Sequence, residues 1–593
     1  MRNGRGIRAG AAAGLALGVA LLTVGPGSAG VASATTRSAL GAKASTARAN
    51  PGTADFNGDG YGDLAVGVPG EDIDRDGTSV PDSGGVNVFY GTSTGLSATA
   101  VSSTFWGQGS SGVQGGVDGA DRFGEALTWG DFNNDGYDDL AVGAPGEGVS
   151  FGGTEVAGAG AVNVLYGSPT GLSAKAVPDQ LWDQSVSGVT GDPQSGDQFG
   201  ASLATGDFNH DGYADLAIGA PGDSVPDQPG LAWLNTVLAG SVEVLYGSAT
   251  GLSATTVAAQ QWNQSSTDVE GVATNSDYFG VAVTASDFNG DGFADLAVGD
   301  SSEDVTVQGA VQGGAGAVNV LYGSSSGLSA TSVADQLWTQ ASPGMPGKAE
   351  AGDAFGNVLT AYDLNGDGYG DLAVAVPWEG VPFGGTEVDG AGEVDVLYGS
   401  SSGLSTTWVP AQAWNEGTSG VPGDPESKDH FGTALAFGDF NGDGPVDLAV
   451  GVPYESIVTG GSTALQAGAV VVLHATSGGL TATASGTAPA SQIWHQDSTN
   501  VDGTASLYEH FGGALAAADF NADGFGDLAI GAWYDRMVIG GVTDGVGAVN
   551  VIHGSSSGLS PTAALGDQLW TQATFGVEGT AEESDYFGAA LAA

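Results

Sequence analysis

The chain has 593 residues, of which 12 are basic and 68 acidic, giving a formal charge of −56; it contains 105 glycines and no cysteine. Such an acidic chain excludes nucleic acid and anionic membrane surfaces as partners, since both demand basic patches. The lack of cysteine excludes a disulfide framework and a thiolate nucleophile, so bound divalent cations become the expected staple.

Residues 1–34 read as a secretory leader. Arg2, Arg5 and Arg8 precede the apolar run Ala9 to Val24, and Ala32-Ser33-Ala34 offers a small-x-small cleavage site. A short membrane anchor is the alternative, but the run is brief and no later segment reaches spanning length. Residues 35–50, with Arg37, Lys43 and Arg48 among Ala, Ser and Thr, read as a flexible linker. The remainder, residues 51–593, is read as one extracellular domain without a membrane span.

From there a nine-residue pattern, Asp-x-Asn-x-Asp-Gly-x-x-Asp, recurs intact at Asp55, Asp131, Asp207, Asp287, Asp363, Asp439 and Asp519. Self-similarity at a fixed period signals a repeat architecture. Each unit aligns as four short β-like runs. The first follows a Phe-Gly pair, as in Phe199-Gly200, and the acidic loop leads into the second, Asp215 to Gly219. The third is rich in β-formers (Val242 to Gly247), and a Gly-Leu-Ser turn leads to a fourth marked by tryptophan, as at Trp262. Four strands per repeat predict an all-β, seven-bladed β-propeller. The chain enters at an acidic loop with no Phe-Gly run before it and ends on Phe587-Gly588 and a first run with no loop after it. The two half-repeats are expected to complete one blade and close the ring, leaving no free sheet edge and a monomer.

The acidic loops carry metal-ligand chemistry. Positions 1, 3, 5 and 9 offer side-chain oxygens, position 7 a backbone carbonyl, and glycine at position 6 permits the sharp turn that gathers hard ligands around calcium. The first loop supplies Asp55, Asn57, Asp59, Tyr61 and Asp63; the second Asp131, Asn133, Asp135, Tyr137 and Asp139; the third Asp207, Asn209, Asp211, Tyr213 and Asp215. The fourth supplies Asp287, Asn289, Asp291, Phe293 and Asp295, and the fifth Asp363, Asn365, Asp367, Tyr369 and Asp371. Asp439, Asn441, Asp443, Pro445 and Asp447 form the sixth, and Asp519, Asn521, Asp523, Phe525 and Asp527 the seventh, for about seven Ca2+ sites in all. An EF-hand is rejected because position 12 is Val or Ile (Val66, Ile218) where that motif needs a bidentate Glu, and a strand follows in place of a helix. Metal-free Asx turns are the alternative.

Phe-Gly, the acidic loop and Gly-Ala-Pro (Gly143-Ala144-Pro145, Gly219-Ala220-Pro221) together resemble the FG-GAP repeat of the integrin α-subunit N-terminal propeller. Other copies depart at the last element, as in Gly299-Asp300-Ser301 and Gly531-Ala532-Trp533. The resemblance implies calcium in the loops on the lower face. The second-to-third and fourth-to-first connections then lie above, as long loops suited to binding. Their aromatics include Trp233, Trp378, Tyr454, Trp533 and Tyr534, offered as ligand-binding residues.

An acid before each Phe-Gly pair (Asp121, Asp197, Asp277, Asp353, Asp429, Glu509, Asp585) and one after each Gly-Ala-Pro region (Glu71, Glu147, Asp223, Glu303, Glu379, Glu455, Asp535) recur in every blade. Recurrence points to turn geometry or inter-blade hydrogen bonds in preference to catalysis. The six histidines are read as scattered, and no nucleophile elbow or phosphate loop stands in a strand–helix setting. The expected function is adhesive binding of a protein or cell-surface partner, with a lectin as the alternative and a polysaccharide-active hydrolase or lyase behind it.

Overall fold

The computed structural model describes residues 52–593, apart from 76, 102, 176, 227–235, 537–544 and 564. The leader, the linker and Trp233 lie outside the described residues.

Each repeat folds as an antiparallel blade of four main strands, and seven blades form the propeller, with no helix among the described residues. The second blade runs from its inner strand Ala126–Gly130 through Asp139–Ala144 and Ala161–Leu165 to the outer strand Gln180–Trp182. Its two middle strands are buried along their whole length, which is why they read as short continuous apolar runs with little alternation.

The core lies between blades. On the seam of the second and third, Val162, Val164 and Tyr166 of one blade meet Phe199, Leu216 and Ile218 of the next. Burying a side chain of this size contributes about 1.5–3 kcal/mol. The last seam is built the same way: Leu64, Val66 and Phe89 pack with Phe520, Val549, Trp570 and Phe587. Leu591–Ala592 supplies the innermost strand of the first blade, Ala65 facing Ala592 and Val66 facing Leu591. The ring therefore closes as the two half-repeats imply.

Close approach between blades explains the glycines of the motif. A Cβ on Gly143 would stand 2.1 Å from the carbonyl oxygen of Gly200, the Phe-Gly glycine of the next blade, and Gly200 itself has φ +92°. A hydroxyl latch joins neighbouring blades at several seams. Tyr90 Oη accepts a hydrogen bond from Leu172 N (3.2 Å), and Tyr246 Oη accepts one from Leu328 N (3.3 Å).

The second-to-third connections differ from the long loops expected of them. In the first six blades each carries a two-stranded hairpin, such as Val149–Phe151 with Thr154–Val156 and Val381–Phe383 with Thr386–Val388. Two left-handed glycines, Gly152 (φ +59°) and Gly153 (φ +85°), make the tight turn, the geometry that two-residue hairpins require.

Candidate functional site

In the second to seventh blades the acidic loop joins the first strand to the second, in the first blade it leads into the second strand, and the last aspartate sits at the head of that strand. In the third loop Asp215 is fully buried; its Oδ2 accepts from Phe208 N and its Oδ1 from Gly247 N, both at 2.9 Å. Asp207 at position 1 accepts from Asp211 N (3.0 Å) and Gly212 N (2.9 Å), folding the loop inward. The first loop repeats this: Asp63 accepts from Phe56 N and Gly91 N, while Asp55 accepts from Asp59 N and Gly60 N.

Burial first, and then the neighbouring charges of positions 1 and 5, push the position-9 carboxyls of Asp63, Asp139, Asp215, Asp295 and Asp371 up to about 8. Each loop thus gathers oxygen donors around a carboxyl group that, among the described residues, has no basic group acting on it in these five blades. Several position-3 and position-5 oxygens, Asn209 Oδ1, Asn365 Oδ1, Asn521 Oδ1 and Asp443 Oδ1, are buried without a hydrogen-bond partner. A hard-oxygen donor set with orphaned acceptors and uncompensated charge fits calcium.

The sixth and seventh loops depart from this pattern, and the sequence reading of scattered histidines is corrected there. His474 and His553 occupy the position held by Tyr90, Tyr166, Tyr246, Tyr322 and Tyr398 at the end of the third strand. Each ring is buried, with His474 Nδ1 2.9 Å from Asp447 Oδ2 and His553 Nδ1 3.0 Å from Asp527 Oδ2. Burial raises Asp527 only to about 6, because the bond and charge of His553 oppose it.

The recurring acids are structural in most seams. Asp121 accepts from Asp118 N (2.7 Å) within its own turn, and Glu147 accepts from Gln108 Nε2 of the preceding blade (2.6 Å). Two seams gather three acids each. In one, Asp277, Asp300 and Glu303 lie together, with Asp277 engaged by Thr274 and Glu303 by Gln264. The other holds Glu416, Asp429 and Glu455.

On the side of the ring where blades meet through these acids, four of the aromatics expected to bind ligand come together; Trp233 is outside the described residues. Trp378, His430, Tyr454, His510 and Trp533 follow one another with ring centroids 5.5, 5.2, 4.8 and 4.7 Å apart. The last pair is stacked at 10°, and Tyr534 and Tyr586 extend the arc beyond Trp533. His430, His510 and Tyr586 were missed by sequence reasoning, although each directly precedes a Phe-Gly pair. That position has φ between +54° and +66° in all seven blades. A non-glycine residue held left-handed at every repeat marks backbone that the surrounding turn over-determines. The equivalent residues in the other blades are Arg122, Gln198, Tyr278 and Ala354, and Gly70, Gly146, Gly222 and Ser302 stand where Trp378, Tyr454 and Tyr534 do. The arc is therefore confined to the fifth, sixth and seventh blades and the closing segment. Each of its histidines is tethered through Nδ1 to a backbone carbonyl, His430 to Pro377 O (2.8 Å) and His510 to Pro453 O (3.3 Å). Those bonds place the proton on Nδ1 and fix the rings as part of the surface.

A family model for the FG-GAP repeat matches residues 48–88, 123–165, 199–234, 279–321, 355–397 and 431–473. A phosphatidylinositol-glycan-specific phospholipase D of Bos taurus is 34% identical over 180 residues, 30% of this chain and 18% of that protein. Integrin alpha-3 of Cricetulus griseus is 27% identical over 191 residues, 32% of this chain and 15% of the integrin. The matched stretch thus spans less than a fifth of either relative. Among solved structures, rhamnogalacturonan lyase YesW aligns over 88% of this chain and 74% of its own at 12% identity, with a TM-score of 0.32, too distant to speak to activity.

Proposed function

As an FG-GAP repeat protein resembling the integrin α β-propeller, this chain is one that we propose acts as a secreted binding module. In this reading calcium in the lower loops sets the ring and the aromatic arc engages a protein or cell-surface partner in adhesion. The observation that carries it is the asymmetry of the arc. A seven-fold scaffold has no structural need for seven contiguous rings on one sector; at the same positions elsewhere it places Gly, Ser, Ala, Gln and Arg, with one aromatic, Tyr278, outside the run of ring contacts. Aromatic residues with fixed rotamers supply contact area at low entropic cost and are enriched where partners bind.

Rings beside carboxylates also suit a sugar, since Trp378 stands 46% exposed next to His430, and the two directly adjoin Glu379 and Asp429 in the chain. Binding of the full chain to arrays of extracellular proteins and of glycans, in calcium, separates the two. A protein ligand lost on Trp533→Ala supports the adhesive reading, and a glycan ligand lost on the same change replaces it with the lectin. Ligand retained at full affinity by Trp378→Ala, Tyr454→Ala and Trp533→Ala alike refutes the arc as the binding face.

A further inference from the structure

At the seam between the fifth and sixth blades one residue breaks a rule kept at the others. Two residues beyond the outer-strand tryptophan stands a glutamine: Gln108, Gln184, Gln264, Gln340, Gln496 and Gln572. In five seams its amide donates to the acid that follows the second strand of the next blade, as Gln340 Nε2 does to Glu379 Oε2 (3.0 Å) and Gln496 Nε2 to Asp535 Oδ2 (2.9 Å). The amide is the donor that makes the buried acid tolerable. At the seam of the second and third blades Asp223 accepts from Ser241 and Gln261 in place of Gln184, and at the seam of the fifth and sixth this residue is Glu416, with Glu455 as its partner acid. A donor has been replaced by a third acceptor.

The consequences are visible in the side chains. Glu416 is 4% exposed, and both of its carboxylate oxygens are buried without a hydrogen-bond partner, as is Glu455 Oε2. Asp429 is 2% exposed and keeps one bond, from Glu426 N to its Oδ2. One oxygen from each of Glu416, Asp429 and Glu455 lies within 4.8 Å of the others. Ligands at 2.3–2.6 Å from one ion are separated by at most about 5 Å, so a single cation spans all three. Among the described residues no lysine or arginine pairs with any of them. Burial, followed by Glu455 and Asp429, pushes Glu416 up to about 9. Glu426 and Asp424 push it further in the same direction, so the charges acting on Glu416 are those of carboxylates.

We propose that Glu416, Asp429 and Glu455 form a further divalent-cation site for a hard ion of the calcium class, separate from the seven acidic loops. Oxygen-only donors select such an ion over the softer transition metals. Asp429 is bonded in sequence to His430 and Glu455 to Tyr454, whose rings are 5.2 Å apart, so an ion here fixes the base of the arc in the sixth blade. The site stands whether or not the arc binds a partner.

The test is Glu416→Gln, which restores the residue that the other six seams carry and so preserves the fold. The full chain is stripped with chelator and dialysed to equilibrium against calcium. The variant is expected to bind one ion fewer than wild type, to melt higher than wild type in chelator, and to gain less on adding calcium. Glu455→Gln, which removes a different ligand, is expected to lose the same single ion. An unchanged ion count and an unchanged calcium increment in both variants overturn the site and leave the three carboxyls sharing protons.

Discussion

Asp215→Asn probes the link between cation and fold directly. The wild-type carboxylate bonds two backbone amides, Phe208 N and Gly247 N. An asparagine offers one oxygen to those two donors, so one buried amide is left unsatisfied, costing about 1–3 kcal/mol. In calcium the variant also forfeits its ion, about 2.7 kcal/mol at a hundredfold excess over Kd, for a total near 4–6 kcal/mol. In chelator the balance turns. Burial and the charges of Asp207 and Asp211 hold Asp215 near 8 against an ordinary 3.8. The metal-free fold therefore keeps a proton that the unfolded chain releases, and its stability falls as pH rises from about 4 to about 8. At pH 7 that penalty is about 4 kcal/mol for this group at about 1.36 kcal/mol per unit. Asparagine removes it, so the variant is expected to be about 1–3 kcal/mol more stable than wild type without metal and to show a shallower pH slope. For a unit the size of Ala47–Ala593, at about 2.1 cal/mol/K per residue, 1 kcal/mol corresponds to about 1 °C. Scanning calorimetry of both proteins, in calcium and in chelator at pH 5 and pH 8, reads these shifts. A destabilisation of the same sign and size under both conditions refutes the reasoning and makes the loop a turn only.

Further outcomes follow from other contacts. Tyr90→Phe strands Leu172 N at the seam of the first two blades and is expected to cost about 1–2 kcal/mol with no change in bound calcium, by chemical denaturation and metal count. Phe587→Ala empties a fully buried ring position beside Phe89 (6.3 Å) in the closing seam and should cost about 3–5 kcal/mol, with hydrogen exchange rising first in the first and seventh blades. Trp378→Ala removes a half-exposed ring, so stability should stay within about 0.5 kcal/mol while binding of the array ligand weakens at least tenfold.

The fold was legible because its period is written in chemistry. Each Phe-Gly pair, acidic loop and outer tryptophan marks the same point of a blade, and the half-repeats at Asp55 and Phe587 specify the closing pairing of Val66 with Leu591. The hairpins were signalled by Gly152-Gly153 and Gly384-Gly385, but a glycine pair among 105 glycines gives little contrast. The acidic loops were legible as ligand sets, whereas the histidines beside Asp447 and Asp527 were not. Their meaning lies in sharing a blade position with Tyr90, five residues before the turn glycine as in the other blades, and a change of residue type from tyrosine to histidine hides that equivalence. The arc was half visible: Trp378, Tyr454, Trp533 and Tyr534 stand out as aromatics, but His430, His510 and Tyr586 join them only through proximity across seams. Glu416 is a one-residue change whose weight appears once Asp429 and Glu455 are seen to converge on it.

Anomalous diffraction from crystals of the protein grown in calcium, recorded at a long wavelength, tests the central claim most directly. The account predicts a calcium peak in each acidic loop, enclosed by positions 1, 3, 5 and 9 as with Asp207, Asn209, Asp211 and Asp215. Well-ordered loops with no anomalous peak, in blades folded as described, would contradict it.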